Sequence, residues 1–345
     1  MLKSLIDRFK GLVGGPAAAN WRPGKKHEEA LALVESGKNV LGRYPLNVQI
    51  QTVSACNASC YMCPYPESWQ SRNPGRMSDE VYKKIVDDLA QYKIGKFCPY
   101  LENEPLLDAK IFERIDYAIS KLDMRVLEVA TNASVLDRKK LEDAMRVLPK
   151  ANSHIWVSFH GIDKESYESI MGLDFETARE NVLALIEKAQ DTKIKIRIRG
   201  AGMPRFQGEK MPNWFSKKDY VNFWNNEFAK HKFKVRPEIN FFTYHDRAGQ
   251  IERNEINFSK AGIFRPSLKD FYCVKIDQWI NFLYTGELVL CCMDYHRETV
   301  FGDIKDNSIN EIFTSDKFLC LAKQVLGSAE SPDGFICKKC SSPGG

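Results

Sequence analysis

Six short apolar or β-branched runs alternate with helical patterns between residues 46 and 243. The runs are "LNVQIQTV" (46–53), "KFCPYL" (96–101), "RVLEVATN" (125–132), "HIWVSF" (154–159), "IKIRIRG" (194–200) and "EINFFT" (238–243), and the helical segments cover 78–92, 109–121, 137–147, 174–190 and 217–231. Strands separated by helices return to the same edge of a parallel sheet through right-handed crossovers. Six such units predict an α/β fold, a partial (β/α)6 barrel of the TIM type rather than a closed eight-unit barrel.

Two flanking segments lack this alternation. Residues 1–45 form a predicted leader, in which "MLKSLIDRFKGLVGG" has amphipathic helical spacing and the following stretch is rich in glycine and proline. The amphipathic helix either packs on the body of the protein or contacts a membrane surface. The predicted organisation is therefore a leader at 1–45, a barrel at 46–258 and a small metal-organised module at 259–345.

Charge and composition narrow the classes of function. The net charge is +5 with acids and bases interspersed, which gives no reason to expect a nucleic-acid partner. No run approaches the ~18 apolar residues of a transmembrane helix, and charged side chains interrupt the first apolar stretch, so we predict a cytoplasmic protein. Ten cysteines in a reducing compartment are typical of metal ligands rather than of disulfides.

Three of these cysteines, Cys56, Cys60 and Cys63, lie together in "CNASCYMC" just after the first predicted strand. This place is the carboxyl end of a parallel strand, where α/β sheets carry their chemistry. Zinc sites usually pair two thiols with a second pair elsewhere, whereas a four-iron cluster held by three cysteines leaves one iron open for another ligand. The C-x3-C-x2-C spacing therefore favours such a cluster, with a cofactor as the missing ligand.

This spacing at the end of the first strand resembles the radical S-adenosylmethionine (SAM) enzymes. The resemblance implies that Cys56, Cys60 and Cys63 bind a 4Fe–4S cluster whose open iron chelates SAM. An electron from the cluster would then cleave SAM to a 5′-deoxyadenosyl radical that abstracts hydrogen from substrate. Met62 stands where the family usually has an aromatic residue, and it is assigned to the cofactor site with Tyr61 beside it.

Further motifs carry the resemblance to the later strands. "YLENEPLLD" resembles the family's "GGEPLL" turn, which implies that Glu104 binds the SAM amino group, although Glu102 and Asn103 replace the two glycines. The remaining SAM contacts implied by "ATNAS" and "WVSFHG" are Thr131, Asn132 and Ser158, and His160 stands where the family often has Asp. In the fifth run, Arg197 and Arg199 share one face. They are candidates for pairing with the SAM carboxylate, and the alternative is a solvent-facing row.

The C-terminal cysteines form a second framework. Cys273, Cys291, Cys337 and Cys340 have a C…G-x4-C…C-x2-C arrangement that on spacing alone would suit a structural zinc. Beside a radical SAM core the pattern resembles the SPASM/twitch modules, and it implies the shorter twitch form with one auxiliary 4Fe–4S cluster. "YHDRAGQI" (244–251) and "FGDIKDNSINEIF" (301–313) resemble stretches that accompany this module.

Three cysteines remain outside both frameworks: Cys98, Cys292 and Cys320. A free cysteine usually behaves as a small buried hydrophobe, and that is the expectation for each. Cys292 is also the alternative ligand to Cys291, because adjacent residues on a strand point to opposite faces.

The resemblance implies a reaction class but leaves the outcome open. An auxiliary cluster favours two-electron oxidation of an alcohol carbon in a small, sugar- or cyclitol-like substrate, with electrons supplied at initiation by a flavodoxin or ferredoxin. Asp294 and His296 are candidates for deprotonating or positioning the hydroxyl, and Arg247 for clamping an anionic group. The alternatives are a radical epimerase, a peptide-modifying enzyme, which the 45 residues before the barrel disfavour, and a non-catalytic iron–sulfur or zinc protein.

Overall fold

The computed structural model describes residues 24–202, 215–243, 247–251 and 265–340. Nine strands form one sheet in the order β6-β5-β4-β3-β2-β1-β7-β8-β9. The strands are β1 Leu46–Ile50, β2 Ile94–Cys98, β3 Met124–Thr131, β4 Ser153–Ser158, β5 Lys195–Gly202, β6 Glu238–Thr243, β7 Trp279–Phe282, β8 Glu287–Val289 and β9 Val300–Asp303. The first six pair in parallel with their neighbours in chain order. This confirms the partial (β/α)6 barrel.

Helices connect the parallel strands where the sequence predicts them. In chain order the described helices are α1 Lys25–Glu35, α2 Trp69–Arg72, α3 Asp79–Leu89, α4 Ile111–Lys121, α5 Arg138–Val147, α6 Lys164–Met171, α7 Phe175–Ala189, α8 Lys217–His231, α9 Lys275–Gln278, α10 Ile309–Phe313, α11 Asp316–Val325 and α12 Ile336–Lys339. Short polar side chains define their starts: Ser78 accepts a hydrogen bond from Val81 N at 3.2 Å, and Asp137 accepts one from Lys140 N at 2.8 Å.

The barrel strands have one apolar face and one polar face. Ile155 and Val157 of β4 are buried and stand in register with Ile196 and Ile198 of β5. This face points at the helices, because a Cβ added to Gly200 on it would lie 2.6 Å from the Tyr220 ring of α8. The residues between them carry polar or aromatic groups toward the barrel interior, so the alternation of period two separates a core from a polar lumen.

The C-terminal module shares the sheet of the barrel. Strand β7 pairs in parallel with β1, and β8 and β9 then continue antiparallel. The sequence gives little sign of this extension, because the three strands are only three or four residues long. The predicted module boundary at 258/259 lies outside the described residues and stays a prediction.

Helix α1 lies within the predicted leader, where the sequence suggested irregular structure up to Lys26. Its His27 Nε2 is 3.0 Å from the carbonyl oxygen of Leu326, just after α11. The N-terminal part of the described chain is thereby attached to the C-terminal module. The amphipathic segment predicted near the start of the chain lies outside the described residues. Within the described ranges, no helix combines the length and the apolar character needed to cross a bilayer.

Candidate active site

The cysteine loop that follows β1 is held by the end of helix α6. Ser59 N donates to Met171 O at 2.9 Å and Tyr61 N donates to Ile170 O at 2.8 Å, so two loop amides satisfy carbonyls at the helix C-terminus. Gly172 ends this helix with φ +67°, and a Cβ there would lie 2.1 Å from Ser59 Oγ. The close approach of loop and helix therefore depends on a glycine.

The three thiols of this loop are partly buried and lie close enough to interact electrostatically. Burial raises the pKa of Cys56 to about 12, with further contributions from Glu104 and Cys63. Burial also raises the pKa of Cys60 well above its usual value, and the charges of Cys63 and Cys56 raise it further. Burial thus keeps these two thiols protonated without metal, and a cation that binds them must displace their protons. The soft thiolates that result suit an iron–sulfur cluster. In the described ranges, no three His, Cys, Asp or Glu side chains are arranged to hold a single metal ion.

Glu104 connects the turn that it begins to the end of β3, beside this loop. Its Oε1 accepts from Thr131 Oγ1 at 2.7 Å and from Leu106 N at 3.0 Å, and its Oε2 accepts from Asn132 N at 2.7 Å. The carboxyl is 3% exposed, and burial raises its pKa to about 7. A carboxylate has about four lone-pair sites. Three are in use, so capacity remains for one further donor such as the amino group of SAM.

The turn after β3 is also joined to the cysteine loop. Asn132 Nδ2 donates to Asn57 Oδ1 at 3.0 Å, and Asn57 Nδ2 donates to Ser134 Oγ at 2.8 Å. Ala133, which follows Asn132, has φ +58°. The structure thus brings Glu104, Thr131 and Asn132 together next to the thiols, although their roles as SAM contacts stay predictions.

The remaining predicted cofactor residues have different surroundings. Met62 is 4% exposed and belongs to the hydrophobic core. Arg197 forms a salt bridge with Glu238 at 2.7 Å, whereas the guanidinium of Arg199 stacks on Trp156 at 4.1 Å. No salt bridge to Arg199 is found in the part of the chain that the structure describes.

Ser158 pairs in register with Arg199 at the carboxyl end of the sheet. His160 lies two residues beyond Ser158, and burial lowers its pKa to about 3, with Arg199 and Arg247 contributing. A neutral imidazole beside two guanidinium groups leaves this region positively charged. It therefore suits a carboxylate or another anion.

The second thiol set is assembled less regularly. The electrostatic neighbours of Cys337 include Cys273 and Cys340, and burial raises the pKa of Cys337. Arg265 donates to the carbonyl oxygen of Cys340, which holds the C-x2-C segment in place. The thiol of Cys291 interacts instead with that of Cys292.

A hydrogen bond shared between the adjacent thiols of Cys291 and Cys292 separates their pKa values. The bond lowers the pKa of Cys292 to about 6, and Lys275 and Arg247 add to the decrease. The same bond raises the pKa of Cys291 well above its usual value. Which of the two binds the auxiliary cluster stays open.

The loop after these two cysteines reaches the first thiol set. The Sγ of Cys63 lies 3.9 Å from the hydroxyl oxygen of Tyr295, and Tyr295 O accepts a hydrogen bond from Trp69 N at 3.0 Å. Burial alone would lower the pKa of Arg247, but Tyr295 and Cys63 outweigh it and the pKa rises. The two cysteine frameworks therefore meet in one region.

Two predicted catalytic residues lie in the same loop. Asp294 is fully buried, and both its oxygens accept hydrogen bonds, from Glu298 N at 2.8 Å and from Thr299 N at 2.7 Å. These contacts indicate that the carboxylate stabilises the turn. His296 is exposed. Their catalytic roles stay predictions.

Gln70 and Glu102 form a buried pair near both thiol sets, and neither was predicted to have a function. Gln70 Nε2 donates to Glu102 Oε2. Gln70 Oε1 and Glu102 Oε1 are buried without a partner among the described residues. Burial raises the pKa of Glu102 well above its usual value, and Asp294, Cys292 and Cys63 contribute. The only sequence sign was the replacement of a glycine by Glu102.

The unassigned cysteines differ from one another. Cys98 is buried, as expected, and its thiol lies 3.9 Å from Glu128 Oε1. The expectation of burial is wrong for Cys320, which is exposed on α11. That helix buries Phe318, Ala322 and Val325 on its inner face, which leaves position 320 on the outer face.

The fold and the two thiol sets define an α/β-barrel protein built for iron–sulfur clusters, and comparisons with known families agree. Residues 50–215 match the family model of the radical SAM superfamily, and residues 273–341 match that of SPASM, an iron–sulfur cluster-binding domain. The chain belongs to the radical SAM superfamily and carries an SPASM-type module. Its cofactors are SAM, a SAM-binding 4Fe–4S cluster and auxiliary iron–sulfur clusters.

Solved structures share this fold at low sequence identity. BtrN in complex with AdoMet and 2-DOIA is 14% identical with a TM-score of 0.54, over 88% of this chain and 95% of that chain. The anSMEcpe structure with bound AdoMet is 17% identical with a TM-score of 0.56, over 79% and 82%. Streptococcus suis SuiB bound to precursor peptide SuiA is 14% identical with a TM-score of 0.53, over 85% and 69%. No match was found among curated protein sequences.

Proposed function

We propose that this protein is a radical SAM dehydrogenase that oxidises an alcohol carbon of a small polar molecule. The observation that carries the proposal is the contact between Cys63 of the first framework and Tyr295, four residues after Cys291 of the second, near an Arg247 that both Cys63 and Cys292 influence. When bound at Cys56, Cys60 and Cys63, a cluster with SAM would supply the hydrogen-abstracting chemistry, and a cluster at the C-terminal cysteines would supply an electron acceptor. A protein with its own electron acceptor suits oxidation better than a reaction that returns the electron to substrate.

The polar lumen supports a small hydroxylated substrate. Glu128 is 7% exposed and accepts from Tyr100 Oη at 2.6 Å, from Trp156 Nε1 at 2.9 Å and from Lys96 Nζ at 2.9 Å. Burial alone would raise the pKa of Glu128, but the hydrogen bonds from Tyr100 and Lys96 outweigh it and the pKa falls. Such a fixed, charged network suits sugar- or cyclitol-like groups. BtrN, which shares the fold, was solved with AdoMet and 2-DOIA.

Glu102 is our candidate for accepting the proton of the substrate hydroxyl. Its Oε1 has no partner among the described residues, whereas both oxygens of Asp294 are used by the turn. Burial raises the pKa of this carboxyl well above its usual value, which makes its carboxylate a stronger base than an exposed one. Gln70 orients the carboxyl through Oε2. Asp294 and His296 remain candidates for deprotonating or positioning the hydroxyl, and Arg247 for clamping an anionic group.

The experiment supplies reconstituted protein with dithionite, SAM and a panel of carbon-deuterated cyclitols and sugars. Deuterium in 5′-deoxyadenosine together with a ketone product is expected. Glu102→Gln should then lower ketone formation by a factor of 100 or more while SAM cleavage continues. Normal four-iron loading without any 5′-deoxyadenosine would contradict an enzymatic role altogether.

Epimerisation is the second candidate, and Cys292 favours it. This thiol is partly buried and lies near Glu102 and Arg247, so it is placed to return a hydrogen atom. Cys292→Ala should spare a dehydrogenase and disable an epimerase. An inverted alcohol instead of a ketone would decide for the epimerase. SuiB and anSMEcpe have both been solved with bound peptides, so a peptide substrate is the third outcome.

The physiological setting follows from the same proposal. A radical SAM enzyme needs a one-electron reductant, and we propose a flavodoxin or ferredoxin in the cytoplasm. We propose further that the auxiliary module holds a single four-iron cluster through Cys273, Cys291, Cys337 and Cys340.

A further inference from the structure

Tyr295 belongs to the C-terminal module but contacts the first thiol set. Its side chain is 6% exposed, and its hydroxyl oxygen lies 3.9 Å from Cys63 Sγ. Its carbonyl oxygen accepts a hydrogen bond from Trp69 N at 3.0 Å, six residues after Cys63. Main chain and side chain of one residue thus contact the same segment, which fixes the direction of the phenol.

The chemistry of the contact depends on which atom carries the proton. A thiolate bound to iron has no proton and accepts only, so the Tyr295 hydroxyl is then the donor. Hydrogen bonds to ligand sulfurs are one of the means by which a protein sets the reduction potential of a cluster. A donated hydrogen bond stabilises the more negative, reduced state and therefore makes reduction easier.

Arg247 and Tyr295 both act on the first thiol set. The guanidinium of Arg247 lies 3.9 Å from Met293 Sδ and acts on Cys60 and Cys63 through its charge. Among the hydrogen bonds of the described residues, the Tyr295 hydroxyl is the side-chain partner of Cys63 Sγ. It comes from the connection between strands β8 and β9 that also carries Cys291 and Cys292.

We propose that Tyr295 is a positioning residue through which the C-terminal module makes the first cluster easier to reduce. Its hydroxyl donates a hydrogen bond to the sulfur of Cys63. The inference rests on the proposed function in one respect, that Cys63 binds the cluster. A chain whose auxiliary module is misplaced would then cleave SAM poorly even with its first cluster loaded.

The test compares Tyr295→Phe with Tyr82→Phe in the full-length, anaerobically reconstituted protein. Tyr82 is a matched control, because it is 2% exposed and its hydroxyl donates to Arg114 O at 2.8 Å, a contact that involves no cysteine. Redox titrations followed by electron paramagnetic resonance measure the midpoint potential of the first cluster, which is recognised by its change of spectrum on adding SAM.

We expect Tyr295→Phe to keep its iron and to lower the equilibrium constant for one-electron reduction about tenfold, equivalent to about 59 mV. Tyr82→Phe should match the wild type. An unchanged potential in Tyr295→Phe, or an equal shift in Tyr82→Phe, would overturn the proposal. Wild-type protein that binds no iron through Cys56, Cys60 and Cys63 would instead refute the proposed function, so the two failures are distinguishable.

A second substitution covers the case in which Tyr295→Phe does not load iron. Replacement of Tyr295 by 3-fluorotyrosine keeps the size of the ring and makes the phenol a stronger donor. The potential should then move to less negative values than in the wild type. A potential identical to the wild type in this loaded variant would also overturn the proposal.

Discussion

The two thiol sets are built on different kinds of scaffold. The first follows a barrel strand, and backbone and side-chain hydrogen bonds connect its loop to the ends of α6 and β3. The second lies beside short elements: Cys273 precedes the four-residue helix α9, Cys291 follows the three-residue strand β8, and Cys337 and Cys340 lie in and just after the four-residue helix α12. Long elements fix a loop before metal arrives, whereas short ones depend on the metal for order. We therefore expect the first site to be preformed and the second to be completed by its cluster.

The largest expected effect comes from removing either thiol set. Cys56/Cys60/Cys63→Ala should lower the iron content from about eight to about four per chain and abolish 5′-deoxyadenosine formation. Cys337/Cys340→Ala should lose a similar amount of iron and retain SAM cleavage only at a reduced rate, because the module that carries Tyr295 loses its cluster. Iron analysis and chromatography of the adenosine product measure both. Wild-type protein with about four irons would mean that the second set binds zinc or no metal.

Glu104 tests how far the first site is preformed without iron. Its pKa in the folded protein is raised from 4.5 to about 7, so the folded state binds the proton more tightly than the unfolded state. This stabilisation is present below pH 4.5 and is lost as the pH rises through 7. The free energy of unfolding of iron-free protein should fall by up to about 3 kcal/mol over this range.

Urea unfolding of iron-free wild type and Glu104→Gln at several pH values measures this contribution. The variant should show a flatter dependence, and the difference between the two proteins isolates Glu104 from other groups such as Glu102. Parallel curves would show that the carboxyl is not buried until the cluster is in place.

Gly172 tests the contact between α6 and the cysteine loop. Gly172→Ala incurs the left-handed backbone cost of about 1–2 kcal/mol and an overlap with Ser59 worth about 1–3 kcal/mol. Gly37 has the same φ of +67° but nothing within 4 Å of an added Cβ, so Gly37→Ala carries the backbone cost alone. Gly172→Ala should therefore unfold more easily and lose iron from the first set. Equal losses of stability in both variants would show that the approach of Gly172 to Ser59 does not stabilise the cysteine loop.

Arg265 gives the smallest expected effect and acts on the second set. Arg265→Met removes the hydrogen bond to Cys340 O and should cost about 1–2 kcal/mol. The auxiliary iron should dissociate faster, followed by absorbance during chelation, while the first set keeps its iron. A variant that loses iron from the first set at the same rate would indicate that the two sites are not independently organised.

The barrel could be predicted from sequence because its pattern is long and redundant. All six predicted strands overlap observed ones, and Arg197 and Arg199 do share a face. That they differ in partners, one paired with Glu238 and one stacked on Trp156, depends on neighbouring strands and leaves no trace in spacing. Helix α6 was missed because its eight residues carry only a short apolar stripe.

The site was predictable where residues follow strand ends. Glu104, Thr131 and Asn132 were placed together by motif resemblance, and the structure joins them by hydrogen bonds. Glu102 and Tyr295 were not assigned roles, because their surroundings include residues distant in sequence, such as Cys292 for the first and Cys63 for the second. Contacts of that kind require the folded chain.

The pairing of β7 with β1 also sets an order of events during synthesis. Strand β1 finds β2 soon after it is made, but its other neighbour, Trp279–Phe282, is translated only near the end of the chain. Until then, one edge of the strand that leads into the cysteine loop is uncovered. Long-range pairing of this kind slows folding and leaves intermediates exposed. The nascent protein therefore cannot close the wall beside its first metal site until the part that carries the second site has left the ribosome.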